Sequence, residues 1–229
     1  MNDRGIALIM VILITTFLSA LGIGLIMAVF MDRLATGNMA GSVAMLYAAD
    51  AGIEIAAHEI AQFDDWDQVL AGAQQSGFVD GAPGGLRGIP GGGGVDLGVA
   101  TNLLNCGKPT PCTVSQMTAS SRERPWGANN PRWKLFAYGP VDRLAPLARP
   151  AACYLAVWIA DDALEQDGDP SRDALSGAPG HGIVRVHAEA YGIAASRRAI
   201  EAELARICPQ SPGEPCLPGI RVQSWQELH

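Results

Sequence analysis

Between Arg4 and Asp32 the chain carries no charged residue, and Ile6–Phe30 is an almost unbroken apolar run. Wound as a helix at about 1.5 Å per residue, that run is about 37 Å long, enough to cross a hydrocarbon core of about 30 Å with some tilt. From Asp32 to about Phe63 there is no proline. Met39, Val43, Leu46, Ile53 and Ile60 recur there at spacings of three, four and seven, one apolar stripe interrupted by Asp50. The pattern predicts a single helix of about 55 residues, lipid-like over 6–30 and amphipathic over 31–63. Asp3 and Arg4 are the only charges ahead of it. A short basic flank reads as cytoplasmic, which puts Asp32 onward outside the cytoplasm. The run is long for a signal-peptide core, and no small-residue cleavage site followed by a mature domain closes it.

Behind the helix the period changes. Trp133–Tyr138 predicts a short strand ended by Gly139-Pro140, and Tyr154–Ala160 is apolar on both faces, as for a strand that a helix covers on one side. Ile183–Ile193 alternates, with Val184, Val186, Ala188 and Ala190 on one face and Arg185, His187, Glu189 and Tyr191 on the other. Arg197–Ile207 fits two templates: Ile200, Leu204 and Ile207 suit a helix, while Ile200, Ala202 and Leu204 share a strand face. Residues 77–98 hold ten glycines, including Gly91–Gly94, and read as a flexible connection. The helix ends near Phe63, leaving about 165 residues for a head, 64–229, enough for one core and no more.

Two stretches of the helix carry a resemblance. Arg4-Gly5-Ile6-Ala7-Leu8-Ile9-Met10-Val11 resembles the start of a type IV pilin of the PilX minor-pilin kind. Tyr47-Ala48-Ala49-Asp50-Ala51-Gly52-Ile53-Glu54 is similar to that family's second signature, late in the long helix. The resemblance covers residues 4–60 well and thins afterwards. It implies that Met1–Gly5 is a leader, that prepilin peptidase cuts after Gly5 on the cytoplasmic side, and that Ile6 becomes the methylated N-terminus. It also implies a strand over 197–207, closing a β-meander over 133–207, and a variable loop where the glycines lie. The expected fold is therefore α+β and pilin-like: a long N-terminal helix, transmembrane in its first half, packed on a C-terminal antiparallel β-sheet. One departure is informative. Most major pilins carry glutamate at the fifth mature position, where it neutralises a neighbour's N-terminal ammonium; here that position is Met10. A subunit without this carboxylate leaves a buried charge unpaired in mid-fibre, but it can cap an end.

Composition agrees with an exported head. The chain has 229 residues, net charge −7 and 48% hydrophobic residues. The acidic balance argues against nucleic-acid binding, since no basic patch neutralises phosphates. Of five cysteines, Cys106 and Cys112 bracket Gly-Lys-Pro-Thr-Pro, and Cys208 and Cys216 bracket a second proline-rich stretch. Local pairing into two disulfide loops suits an oxidising periplasm, although five cysteines making two bridges allow fifteen pairings. Zinc is the rival reading, and neither pair has the tight spacing of a structural site. Cys153, in an apolar strand, reads as a buried free thiol.

The most chemically loaded loop follows the second strand. Asp162, Glu165, Asp167, Asp169 and Asp173 alternate around Gly168, and oxygen donors in a flexible loop are what Ca²⁺ requires. The spacing lacks the full EF-hand pattern, so an exposed acidic turn is the competing reading. No enzyme signature occurs. His58-Glu59 is followed by Gln62 where a zinc protease needs histidine, no G-x-S-x-G and no Walker P-loop is present, and Gly92-x-Gly94-x-x-Leu97 misses the last glycine of a dinucleotide loop. His187 reads as a solvated or hydrogen-bonded side chain and not as a base. The methionines of the helix (Met10, Met27, Met31, Met39, Met45) read as an adaptable packing surface.

The sequence points to a non-catalytic minor pilin, held in the inner membrane with its head in the periplasm and moved to the pilus at the cell surface on assembly. The resemblance implies other minor pilins and the major pilin as partners through the helix, with prepilin peptidase and a PilY-type adhesin beside them. It also implies a role in a tip complex that primes assembly. A K-type pseudopilin of type II secretion is the nearest alternative. An unprocessed bitopic protein whose periplasmic head binds a ligand or Ca²⁺ is the alternative from a different class.

Overall fold

A computed structural model describes residues 3–144, 152–165, 167–173, 180–193, 196–207 and 217–228. Helix α1 runs without a break from Asp3 to Ile60. The chain forms two compact units, 1–43 and 44–229.

In the first unit α1 is apolar and bare: Ile6–Phe30 leaves its large side chains exposed, as do Met31, Leu34, Met39 and Val43. Three of its hydroxyls bond back to the helix. Thr15 donates to the Val11 carbonyl at 2.9 Å, Thr16 to Ile12 at 2.9 Å and Ser19 to Thr15 at 2.8 Å. Such back-bonding satisfies polar groups where no water is at hand.

In the second unit the rest of α1 lies on a five-stranded antiparallel sheet of order β3-β4-β5-β6-β7: Lys134–Pro140, Tyr154–Asp161, Ile183–Tyr191, Arg197–Ile207 and Leu217–Leu228. Each strand pairs with the next in sequence, so the sheet is a meander. The helix buries Met45, Ala48, Ala49, Ile53, Ala56 and Ile60 against Leu155, Val157, Ile159, Val186, Ala188, Ile200 and Leu204. The expected stripe holds only at Ile53 and Ile60, with Leu46 half-buried. Met39 and Val43 stay exposed, and alanines take over the contact face because small side chains let the backbone come close.

The opposite face of the sheet is also covered. Leu86–Gly88 (β1) and Gly94–Asp96 (β2) form a hairpin, and Leu97–Cys106 (α3) follows. Ile89, Val95 and Leu97 pack on Trp133, Leu135, Tyr138, Tyr154, Ala156 and Trp158. This explains why all eight residues of β4 are buried. The glycine-rich stretch is thus an ordered layer and not merely a flexible connection. Tyr138 Oη donates to the Gly81 carbonyl at 2.6 Å, and Trp158 Nε1 donates to Thr101 Oγ1 at 2.8 Å. Asp96 caps α3 by accepting from the Val99 amide at 3.0 Å, and Gly107 ends it in the left-handed region. The other helical pieces are short: Asp67–Leu70 (α2) and Val114–Met117 (α4), the latter opened by a Thr113–Gln116 capping box.

Several boundaries differ from expectation. Helix α1 ends at Ile60, three residues early; the Ile60 carbonyl then accepts from the Phe63 amide at 3.1 Å in a tighter turn and from the buried Trp66 indole at 3.2 Å. The first strand starts at Lys134 and runs through Pro140. The third stops at Tyr191. The ambiguous segment 197–207 is a strand whose Ile200, Ala202 and Leu204 face the helix. A fifth strand, β7, extends the meander beyond residue 207.

Candidate functional site

The second helix signature divides its work by face. Ala48, Ala49, Gly52 and Ile53 point into the head, while Tyr47 and Glu54 stand exposed. Gly52 marks the closest approach of helix to sheet. A methyl group there would lie 2.9 Å from Val157, 3.0 Å from Leu155 and 3.1 Å from Ala188. Asp50, which broke the apolar stripe, accepts from the Trp225 indole at 2.9 Å and so ties β7 to the helix. The partner of Asp50 lies 175 residues away in sequence, which no local pattern reports.

At the other end of the helix, Gly5 lies within the first helical turns, and Ile6 and Met10 are exposed. The helix is long and apolar enough to cross a membrane, and it lies near the N-terminus.

Cys106 and Cys112 form a disulfide with Cα atoms 6.0 Å apart, and Cys153 is free and buried, its thiol pushed up to about 11 by burial. The bridge closes the loop after α3. The adjacent Asn105 both accepts from the Trp133 amide at 2.9 Å and donates to its carbonyl at 3.0 Å, fixing the entry to β3. Cys208 and Cys216 lie outside the described residues.

The acidic loop does not act as one group. Asp167 accepts from the Asp169 amide at 2.8 Å, and Asp169 accepts from the amide and hydroxyl of Ser171. Asp162 accepts from the Leu164 amide at 3.1 Å, and Asp173 accepts from the Gly182 amide at 2.7 Å and stands 3.4 Å from His181. Glu165 is buried, as is Asp161 at the end of β4. Burial, reinforced by the Glu165 charge, pushes the Asp161 carboxyl up to about 9; burial and the nearby Asp167 raise Glu165 to about 7. The expected exposed turn is therefore half wrong: Asp167 is in solvent, whereas Asp161, Asp162 and Glu165 are not. Among the described residues no group of three or more His, Cys, Asp or Glu side chains is disposed to hold a metal ion.

His187 is buried and not solvated. Its ring is 3.4 Å from Glu189 and 3.7 Å from Glu201, with Trp133 and Trp158 edge-on at 5.6 and 5.8 Å. Arg185 pairs with Glu201, and Arg197 pairs with Glu189 at 3.2 Å; the Tyr191 hydroxyl also donates to Glu189. Burial alone lowers the imidazole pKa, but the two carboxylates outweigh it and hold His187 above its ordinary value. The network crosses β5 and β6 under a cover of indoles. Its charge contacts join β5 to β6: Arg185 and His187 of one strand face Glu201 of the other, and Arg197 faces Glu189. Alternation placed His187 correctly on the polar face; that this face is covered could not be read from the period.

No family model, curated protein or solved structure matches this chain. The architecture itself is pilin-like: a long apolar N-terminal helix whose C-terminal part packs on an antiparallel sheet.

Proposed function

We propose that this chain is a non-catalytic filament subunit, a minor pilin of the PilX kind. It would be stored in the inner membrane through Ile6–Phe30 and moved into a tip complex by packing that helix among others. The observation that carries this reading is the single helix α1, which serves two environments. Its first part leaves every large apolar side chain exposed, with the hydroxyls of Thr15, Thr16 and Ser19 bonded to its own backbone, while residues 45–60 anchor a folded head through alanines and Gly52. A helix with those exposed side chains needs lipid or other helices around it. Met10, with no carboxylate for a neighbour's terminal ammonium, favours a place at the fibre end. Partners would be other minor pilins, the major pilin and an adhesin of the PilY type. Mass spectrometry of the native protein tests the reading: the chain should begin at N-methylated Ile6, and a bulky residue in place of Gly5 should leave the leader on. An intact N-terminus in cells with active prepilin peptidase would instead mark an unprocessed bitopic protein.

A further inference from the structure

The five-stranded sheet has two edges, and the chain covers only one of them. Along β3 it lays residues 76–78: the Ser76 amide donates to the Phe136 carbonyl at 3.0 Å, and the Tyr138 amide donates to the Phe78 carbonyl at 2.8 Å. At the other edge, β7 has β6 as its only main-chain partner among the described residues. Edge strands are ordinarily blunted by bulges, proline or lysine. Bulges interrupt β7 as far as Ser224, but Ser224–Leu228 pairs with Glu203–Ala199 without a break and holds neither proline nor lysine. Such a run leaves half of its N–H and C=O groups in a row on its far side, a pattern that another extended chain matches.

Helix α1 forms the wall beside this edge, where Trp225 donates to Asp50 at 2.9 Å. Ser196, at the turn into β6, donates to Met45 Sδ at 3.5 Å, and Arg206 near the far end of β6 donates to the Asp64 carbonyl at 2.9 Å. The head part of α1 thus runs with β6 and against β7. Tyr47, one turn before Asp50, lies toward Leu228, and Glu54, one turn after, lies toward Val222. Tyr47 is 69% exposed and Trp225 48%. Asp50 meets only a neutral indole, and neither it nor the exposed Glu54 enters an ion pair among the described residues. Two carboxylates without a cation, beside two open aromatic rings, complement a guanidinium or an ammonium, which is drawn by the charge and stacks on the rings. A second copy does not supply that cation through its own β7. Val222, Trp225 and Glu227 stand opposite Leu204, Ala202 and Ile200 on the helix side, and none is basic. We infer that the open edge of β7 takes an added strand from a partner polypeptide, with arginine or lysine at the alternate positions that face α1. The inference is independent of the filament reading, because it uses only the head.

The experiment uses the full chain in detergent and three acetylated, amidated hexapeptides: alternating Arg-Thr, alternating Glu-Thr, and the Arg-Thr sequence N-methylated at every residue. N-methylation keeps the charge and removes the donors of a ladder. By calorimetry the Arg-Thr peptide should bind and the Glu-Thr peptide should not. The N-methylated form should bind at least about tenfold more weakly, the scale of losing two or more main-chain hydrogen bonds. Hydrogen exchange places the contact: amides within Ser224–Leu228 should gain protection with the Arg-Thr peptide alone. Asp50→Asn combined with Glu54→Gln removes both charges while leaving the Trp225 indole an acceptor, so the melting temperature should hold and affinity should fall about threefold to tenfold. Should that pair melt early, Glu54→Gln alone, at an exposed position, should still weaken binding about twofold to fivefold. Equal affinity of the N-methylated peptide would reduce the contact to charge attraction and overturn the added strand. Binding of the Glu-Thr peptide, unchanged affinity in the variants, protection confined to other segments, or no binding at all would overturn the inference as well. Protection of Ser224–Leu228 that grows with protein concentration, without peptide, would make a second copy the occupant instead.

Discussion

Gly52 gives the sharpest test of how the helix meets the sheet. A Cβ at this position lies 2.9 to 3.1 Å from three buried side-chain carbons, on Val157, Leu155 and Ala188, so each alanine contact demands a shift. Overpacking of this kind costs about 1–3 kcal/mol, while replacing a helical glycine with alanine returns about 1 kcal/mol of backbone propensity. Gly52→Ala should therefore lose about 1 kcal/mol, and Gly52→Val, with two more carbons to place, about 2–3 kcal/mol. For a head of this size one kcal/mol moves the midpoint by about 2–4 °C, so the valine variant should melt about 4–12 °C lower. Gly41 on the same helix is the control, because a Cβ there has nothing within 4 Å and the position lies outside the compact head. Gly41→Ala should leave the head's transition unmoved. The measurement is near-ultraviolet circular dichroism of the full chain in detergent, where the five tryptophans report tertiary packing. If Gly52→Ala melts at or above the unaltered protein, the close approach is not real and the packing argument fails.

Other outcomes follow from the same geometry. In a double-mutant cycle, Asp50→Ala and Trp225→Phe should couple by about 1–2 kcal/mol, since one charged hydrogen bond joins them; additivity would show that β7 is not tied to the helix. Removing the Cys106–Cys112 bridge by double serine substitution should cost about 2 kcal/mol on the loop-closure estimate, read by urea denaturation, with Cys153 unreactive to alkylation until the head unfolds. The pH dependence has a definite sign. His187 is held above its ordinary value, so its contribution is present at lower pH and lost as pH rises through its folded pKa. Asp161, raised to about 9, binds a proton in the folded head that the unfolded chain gives up near 4, which also lowers stability as pH climbs. Glu189 and Glu201 are depressed, chiefly by His187 against the opposing effect of burial, and their contribution is lost only as pH falls through their folded values. Melting temperature should therefore fall between pH 6 and pH 9, and Asp161→Asn should flatten the slope; a rise over that range contradicts the assignment.

Much of the fold was legible because periods report burial. The uncharged run before Asp32 and the proline-free stretch after it specify one long helix, and the alternation at 183–191 specifies a half-buried strand. The first disulfide was legible from short spacing, which makes a local pairing geometrically easy. Misses arose where local pattern is silent. Asp96 and Gly107 are proper caps for α3, yet the ten glycines around 77–98 hid the helix that follows them. Strand β7 has no clean alternation, because bulges interrupt its register with β6 and residues 221–226 all stay exposed.

The sequence by itself determined the long helix with its apolar first half, the α+β class and the residue types on each strand face, since these depend on the order of apolar and polar side chains along one element. Tertiary structure decided which polar residues leave water. His187 and Glu189 alternate as a solvent face should, but the hairpin, α3 and the indoles cover that face. Asp161 and Glu165 sit in an acidic run that reads as soluble, yet both are buried, Asp161 at the end of a strand buried on both sides and Glu165 in the loop that follows it. Burial of a polar group depends on what a second, distant segment lays over it, and no period within one segment encodes that.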